Sequence, residues 1–579
     1  MTITKIGKDR RMPACLLLAL LAVLTGCSSA SNGMRQPEAF TGYIVDIENR
    51  QTYPGTIVCD KGRITEIRRE KSVPDGSLYY LPGMTDAHIH IESSMMTPAN
   101  FSKIAVTHGV VNSVSDPHEI VNVLGIKGLD FMSENGSTSR FRFYWGLPSC
   151  VPSSGLESAG AVIDAEMTAG LMRREDVWYL AEMMNYPGVI SGDAEVMGKI
   201  AAAKEAGKPV DGHAPGVQGD DLVRYASAGI STDHECSTAE EARQRIGLGM
   251  KVIVREGSAA RNFDALATVI AEHPESCMLC SDDKHPDDLV EGHIDDMVRR
   301  GLARGIPIWS LLRAAVINPA EHYGMDTGLM RAGDNATFIA VDNLADFNVR
   351  QTVIDGFVVY DAAADGLDER ALMVGQPSQE TPNNFNAARI TPSDIALTVP
   401  PEGKARVIVA YDGELRTGHE TVPVGQLSDG SIQKIVVYNR YGNGTPQTGF
   451  IKGFGITDGA IGASIAHDSH NIVAIGSDDA EITKVINAII DTKGGVAVSD
   501  RSGVELLPLP IAGILSDKPA EEISAKYRVL DAKAKEMGCR LKAPFITMAF
   551  MALPVIPSLK LTDKGLVDVD RFDFTDIFF

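Results

Sequence analysis

Two histidines stand two positions apart in an alternating stretch, Pro82-Gly83-Met84-Thr85-Asp86-Ala87-His88-Ile89-His90-Ile91-Glu92. In a strand, residues i and i+2 share a face, so His88 and His90 point the same way. Two imidazoles converging from one strand can grip a single metal ion from one side and leave the other side open to water or substrate. A His-x-His pair alone is weak evidence. Further along, each stretch that reads as a strand closes on a residue able to bind a metal or move a proton: Glu182, His213, His234, Arg255 and Asp282. For any one histidine taken singly, a hydrogen-bonded structural role is the better account; for the set in this order, a metal site is.

These residues need a scaffold that gathers strand ends at one place. Strands read over Val177–Glu182, Pro209–His213, Ile230–His234, Met250–Arg255 and Cys277–Asp282. Helices alternate with them: Ala194–Ala206 stopped by Gly207, Asp220–Ala228 stopped by Gly229, Thr238–Ile246 with Ser237 as N-cap, and Phe263–Glu272. The alternating region, 82–334, has the usual length of a (β/α)8 barrel, about 250 residues, in which every strand's C-terminal end meets at one face. Residues 34–81 and 335–360 alternate and turn as short strands. Neither can bury a core alone, so both flanks are expected to combine into one small β-sandwich. Residues 361–386 are polar and aperiodic and read as a linker. From 387 to 579 strands and helices resume (Arg406–Ala410, Lys434–Tyr438, Val496–Val498; helices near 478–492 and 519–536), a C-terminal α/β or α+β domain that carries Ala466-His467-Asp468-Ser469-His470-Asn471. There is no internal repeat.

At 579 residues two or three domains are expected, and 44% apolar with 22% charged residues suits a large core. A net charge of −22 with no basic stripe argues against nucleic acid as a partner. The eight cysteines (15, 27, 59, 150, 236, 277, 280 and 539) are too scattered for a disulfide framework. Cys277 and Cys280 form a CxxC, but three positions along a strand they face opposite ways and read as core cysteines. At the N-terminus Lys5, Lys8, Arg10 and Arg11 precede the apolar run Ala14–Leu24, then Leu24-Thr25-Gly26-Cys27. That order describes an export signal with a lipobox: residues 1–33 are signal and tether, with Cys27 as the lipidated anchor at the cell envelope. A start at Met34 would give a cytoplasmic chain instead.

The order His-x-His, Glu, His, His, Asp resembles the amidohydrolase superfamily. More specifically, Asp86–Ser94, Asp116-Pro117-His118-Glu119-Ile120, Ala181–Gly188, Asp211–Gly216, Asp233-His234-Glu235, Ser281-Asp282-Asp283 and Ala466–Asn471 resemble adenine deaminase of the bacterial type, from about residue 41 to the end. The export signal departs from that family's pattern. The resemblance implies a binuclear divalent metal site: His88, His90 and Asp282 on one ion, His213 and His234 on the other, and Glu182 between them. Manganese or iron is implied more than zinc, although imidazole and carboxylate accept all three. A glutamate at the bridge weighs against the ring-opening hydrolases, which use a carboxylated lysine there.

The implied reaction is hydrolysis of adenine to hypoxanthine and ammonia. Two cations depress the pKa of a shared water, and the resulting hydroxide attacks C6. Asp282 would carry a proton from that water to the leaving amine. Glu235, or less so Glu119, would protonate ring nitrogen N1, while Asp283 and His118 would bind the purine edge or stand as a loop carboxylate and a ligand-orienting residue. Arg255 could line the pocket or form a structural pair with Glu256. His467, Asp468 and His470 could form a lid, another metal site or a local turn. A homo-oligomer is expected. The rivals are another amidohydrolase acting on a cyclic amide or N-acyl substrate, and a non-catalytic binding lipoprotein. The H-x-E plus P-C-x-x-C zinc deaminases are set aside, because Ser276 stands where their proline should.

Overall fold

The computed structural model describes residues 36–442 and 444–579; the expected export signal and tether, residues 1–33 with Cys27, lie outside the described residues. The flank before the barrel gives strands β1 (Ala39–Asp46), β2 (Gln51–Asp60), β3 (Arg63–Arg69) and β4 (Tyr79–Pro82). Eight parallel strands follow: β5 (Met84–Ile89), β6 (Val110–Ser115), β7 (Arg142–Leu147), β8 (Val177–Met183), β9 (Val210–Gly212), β10 (Thr232–Asp233), β11 (Lys251–Arg255) and β12 (Cys277–Cys280). β5 to β9 pair in sequence order, as do β10 to β12. Ser231 N donates to Val210 O at 2.8 Å, a bond that joins the two groups. The ring closes where Asp282 N donates to His88 O at 2.9 Å, just beyond the end of β12.

The strand sequences explain the barrel. β5, β6 and β12 are buried at every position, as expected of parallel strands covered on both faces. Ala87, Val114, Tyr179, Ala181, Ile253, Met278 and Cys280 fill the interior together with Tyr323. Their neighbours Met84, Ile89, Leu180, Val252, Val254 and Cys277 pack outward. Cys277 and Cys280 therefore do lie on opposite faces, both buried as free thiols.

Helix ends follow their caps. Asp193 accepts from the amides of Glu195 and Val196 at the start of helix Ala194–Glu205, and Gly207 beyond its end sits at φ +67°. Helix Ala239–Gly247 is capped by Thr238 rather than by Ser237. Ser237 instead donates its amide and hydroxyl to Glu241. Two adjacent hydroxyl residues could each have capped this helix, and the glutamate fixes which of them does.

The flanks join in one continuous sheet with β13 (Phe338–Val341), β14 (Val349–Ile354), β15 (Phe357–Asp361) and β16 (Gly366–Leu367), in the order β16-β15-β14-β13-β4-β1-β2-β3. The sheet curls until β3 bonds back to the chain ahead of β13: Ile64 N donates to Asp334 O and Ala336 N to Gly62 O. Phe40, Tyr80 and Phe338 lie in the enclosed core, with the Phe40 and Phe338 rings 4.9 Å apart. The stretch 361–386 is not featureless: it holds β16 and the short helix Glu369–Leu372, capped by Asp368, with Ala371 and Leu372 buried. These pieces are too short to leave a period in the sequence.

Beyond it, eight strands from Lys404–Ala410 to Gly503–Pro508 form a mostly antiparallel sheet. Helix Asp479–Thr492 packs on it through Ile482, Val485, Ile486 and Ile489. Helix Ala520–Glu536 leans toward the barrel, where Tyr527 Oη lies 2.6 Å from His285 Nδ1. Ser516 N donates to Met95 O, and Asn471 Nδ2 to Ser158 O, so the segment Ala466–Asn471 is held at the barrel mouth. Among the described residues no helix is long and apolar enough to cross a membrane.

Candidate active site

The strand-end residues converge. Glu182, at the end of β8, lies at the centre. Its Oε1 is 3.2 Å from His90 Nε2. Its Oε2 is 2.8 Å from His213 Nδ1 and 3.2 Å from His234 Nε2. Asp282 Oδ1 is 3.2 Å from His90 Nε2 and 3.6 Å from His88 Nε2. The His88 and His234 rings stack with centroids 4.3 Å apart. All six residues are buried.

The donor set suits divalent cations. Two ligands on one cation at about 2.0–2.2 Å stand roughly 3–3.6 Å apart, which is the spacing found here. Both ring nitrogens of His88 and Nε2 of His213 are buried with no hydrogen-bond partner in the protein. An orphaned buried nitrogen is costly unless something else engages it. Triads such as His88, His90 and Asp282, or His88, Glu182 and His234, have their donor atoms close enough to share one ion. Burial opposes charge on Glu182, but His213, His234 and His90 hold its carboxyl well below the usual range. Burial likewise opposes charge on Asp282, and Arg255, His88 and His90 outweigh it. Burial also disfavours the His90 imidazolium, as does His118, yet Asp282 and Glu182 raise its pKa well above the ordinary value. Cations would displace such protons.

A ring of polar groups surrounds this centre. Arg255 donates through Nη1 to both Glu235 Oε1 (2.5 Å) and Asp282 Oδ2 (2.6 Å), and through Nη2 to Glu235 Oε2 (3.0 Å). Glu235 also lies 3.4 Å from His213 Nδ1 and 3.5 Å from His234 Nε2. Arg255 therefore pairs with Glu235, whereas Glu256 pairs with Arg300. His118 Nδ1 is 3.1 Å from Asp116 Oδ2 and 3.5 Å from Glu182 Oε1. Asp283 accepts from Ser93 Oγ at 2.5 Å, and burial raises its pKa. Glu119 is held at one oxygen by His467 Nδ1 and at the other by His470 Nε2. The C-terminal motif thus reaches the barrel's carboxylates.

Sequence reasoning missed the aspartates that position these groups. Asp86 accepts from Ser281 N (3.0 Å) and lies 2.7 Å from His293 Nε2, tying β5 to the chain after β12. Asp233 pairs with the fully buried Arg245 at 2.8 Å and accepts from Glu235 N, fixing the turn that presents His234. A signal was present: Asp86, Asp116 and Asp211 each stand two residues before a histidine, and Asp233 stands immediately before one. The roof was missed as well. Leu415, Phe550, Leu553 and Ile556 of the C-terminal domain cover a narrow cavity that His90, Glu182, His213, His234, Asp282 and Asp283 line from below.

Comparison with known proteins agrees with this arrangement. Residues 79–359 match the Amidohydrolase family, and residues 414–573 match the Adenine deaminase C-terminal domain. The chain is 47% identical over 562 residues to an adenine deaminase from Methanosarcina mazei, covering 93% of this chain and 99% of that one. It is 48% identical over 558 residues to an adenine deaminase from Methanosarcina acetivorans, with the same coverage. With one from Salinibacter ruber it shares 44% over 555 residues, covering 94% of this chain and 99% of the relative.

Proposed function

The chain belongs to the adenine deaminase family, and from that premise we propose that its buried cluster hydrolyses adenine to hypoxanthine and ammonia with the help of two divalent cations. The observation that carries this reading is Glu182, whose two oxygens face separate histidines, His90 on one side and His213 with His234 on the other. His88, His90 and Asp282 would hold one ion, His213 and His234 the second, and Glu182 would bridge them. Manganese or iron is favoured over zinc by the family alone. Bound there, the cations would make water nucleophilic near neutral pH and polarise the reacting centre.

The chain's own residues do the rest. Arg255 keeps Asp282 an anion, which suits a base that takes a proton from water and passes it to the leaving amine. Ser93 orients Asp283, whose remaining oxygen can meet a purine N–H. His118, wedged between Asp116 and Glu182, bounds the cavity beside the bridge. Leu415, Phe550, Leu553 and Ile556 keep solvent water away from the ring. The test is direct: metal-replete protein should release ammonia from adenine and leave cyclic amides untouched. Absence of ammonia sinks the reading.

The location proposed is the cell envelope, through lipidation of Cys27. Its support is the order of basic, apolar and small residues before that cysteine. Mass spectrometry of the mature N-terminus tests it, and a chain beginning at Met34 would overturn it.

A further inference from the structure

Attack at C6 of adenine requires an acid for ring nitrogen N1, and the two carboxylates expected in that role are already engaged. Glu235 accepts from Arg255 through both oxygens, so each is already occupied by a guanidinium N–H. Glu119 is occupied at both oxygens by His467 and His470. His467 differs from all of these. Its Nδ1 is committed to Glu119, but its buried Nε2 has no hydrogen-bond partner in the protein. Its ring stacks on Phe550 at 4.4 Å and 16°, which fixes its plane, and it lines the same cavity as Glu182 and Asp282. A buried nitrogen held in place and left unpaired is a group waiting for a ligand.

We propose that His467, contributed by the C-terminal domain, is the acid that protonates N1, and that Glu119 is the positioning residue that steadies its imidazolium. The inference rests on adenine deamination as the reaction. The pairing repeats a general device, in which a buried carboxylate on one imidazole nitrogen orients the ring and supports charge when the other nitrogen handles a proton. As the C6–O bond forms, the Nε2 proton passes to N1. Asp282 moves the remaining proton of the attacking oxygen to the amino group, the C6–N6 bond breaks, and ammonia leaves. N1–H stays in the hypoxanthine lactam. The proton shed by the incoming water restores His467, so both hydrogens of one water are accounted for.

The groups facing His467 favour its charged form. Burial opposes it, but Glu119, Asp283 and Asp468 outweigh burial and lift His467 to about 9. His470, on its own loop, and His285, after β12, are the bases nearby.

The test uses the metal-replete full chain and adenine. Wild-type turnover should fall on the alkaline side as His467 loses its proton. His467→Asn keeps an N–H for Glu119 and deletes Nε2. Its kcat should drop about 100-fold or more, with metal content and Tm unchanged and the alkaline limb gone. His467→Gln restores an N–H at the Nε2 position that cannot be transferred, so KM should stay near wild type while kcat stays low. If the Asn variant fails to fold, the Gln variant and the wild-type profile carry the test. Either variant turning over at nearly the wild-type rate, or an alkaline limb that persists in them, overturns the proposal. A wild type that releases no ammonia from adenine strikes instead at the reaction itself.

Discussion

Arg255 decides how the two carboxylates beside it can act. One guanidinium bridges Glu235 and Asp282; it holds the Asp282 carboxyl below its usual range against burial, and only Asp282 lies against His88 and His90. An anion beside those histidines suits a base, and Asp282→Asn should cut turnover by at least ~100-fold, the scale of lost proton transfer. Steady-state kinetics on metal-loaded protein checks this; near-normal turnover would remove Asp282 from the proton path. A second prediction concerns Arg245, fully buried on Asp233. Arg245→Met leaves a buried carboxylate unpaired and should cost about 3–5 kcal/mol, read as a lowered denaturant midpoint. The clustered residues were legible in the sequence because they stand at or just beyond strand ends, His88 and His90 on the first strand and Glu182, His213, His234 and Asp282 each on a later one. Arg245 was not, because its worth depends on reaching back across a turn to Asp233 and Ala214 O, which no local pattern encodes.

At the scale of elements, the barrel strands were legible by their alternation with helices, and two of the helices by the glycines that stop them, Gly207 and Gly229. The roof left no such trace. Leu415 and Phe550 lie far apart in sequence and meet over the cavity because Lys560 Nζ, wholly buried, donates to Leu415 O (2.9 Å) and Phe550 O (2.8 Å). Burial pushes Lys560 down to about 7, so its amine is held for those two carbonyls at a cost in solvation. Lys560→Met should loosen the roof. KM for adenine should rise several-fold while metal content holds, and unchanged KM and kcat would show that the roof stands without it.

For the molecule as a whole, the C-terminal domain and the barrel form one site. Glu119 of the barrel is clasped by His467 and His470, and His285 of the barrel meets Tyr527 of the helix Ala520–Glu536. That second contact has a pH signature. Burial depresses His285 to about 3, and it depresses His322, beside Ser231, to about 4. Between those values and about 6.5, where an unfolded histidine titrates, the unfolded chain binds more protons. These two groups therefore contribute stability that is full at neutral pH and lost as pH falls from about 6.5 toward 4 for His322 and toward 3 for His285. Tm should decline over that window, and His285→Gln should flatten the decline; a Tm independent of pH there would contradict it. Domain order and barrel were readable from alternation alone. The closeness of the two domains was not, because it joins residues far apart in sequence, in one shared apolar core and in contacts such as Tyr527 on His285 and Asn471 on Ser158.

The most direct test is to strip the protein of metal and follow adenine deamination as manganese is returned in measured equivalents. A paired-cation site bridged by Glu182 predicts no ammonia from the apoprotein and a rate that climbs until two equivalents per chain are bound. Full activity at one equivalent, or activity without metal, would contradict it.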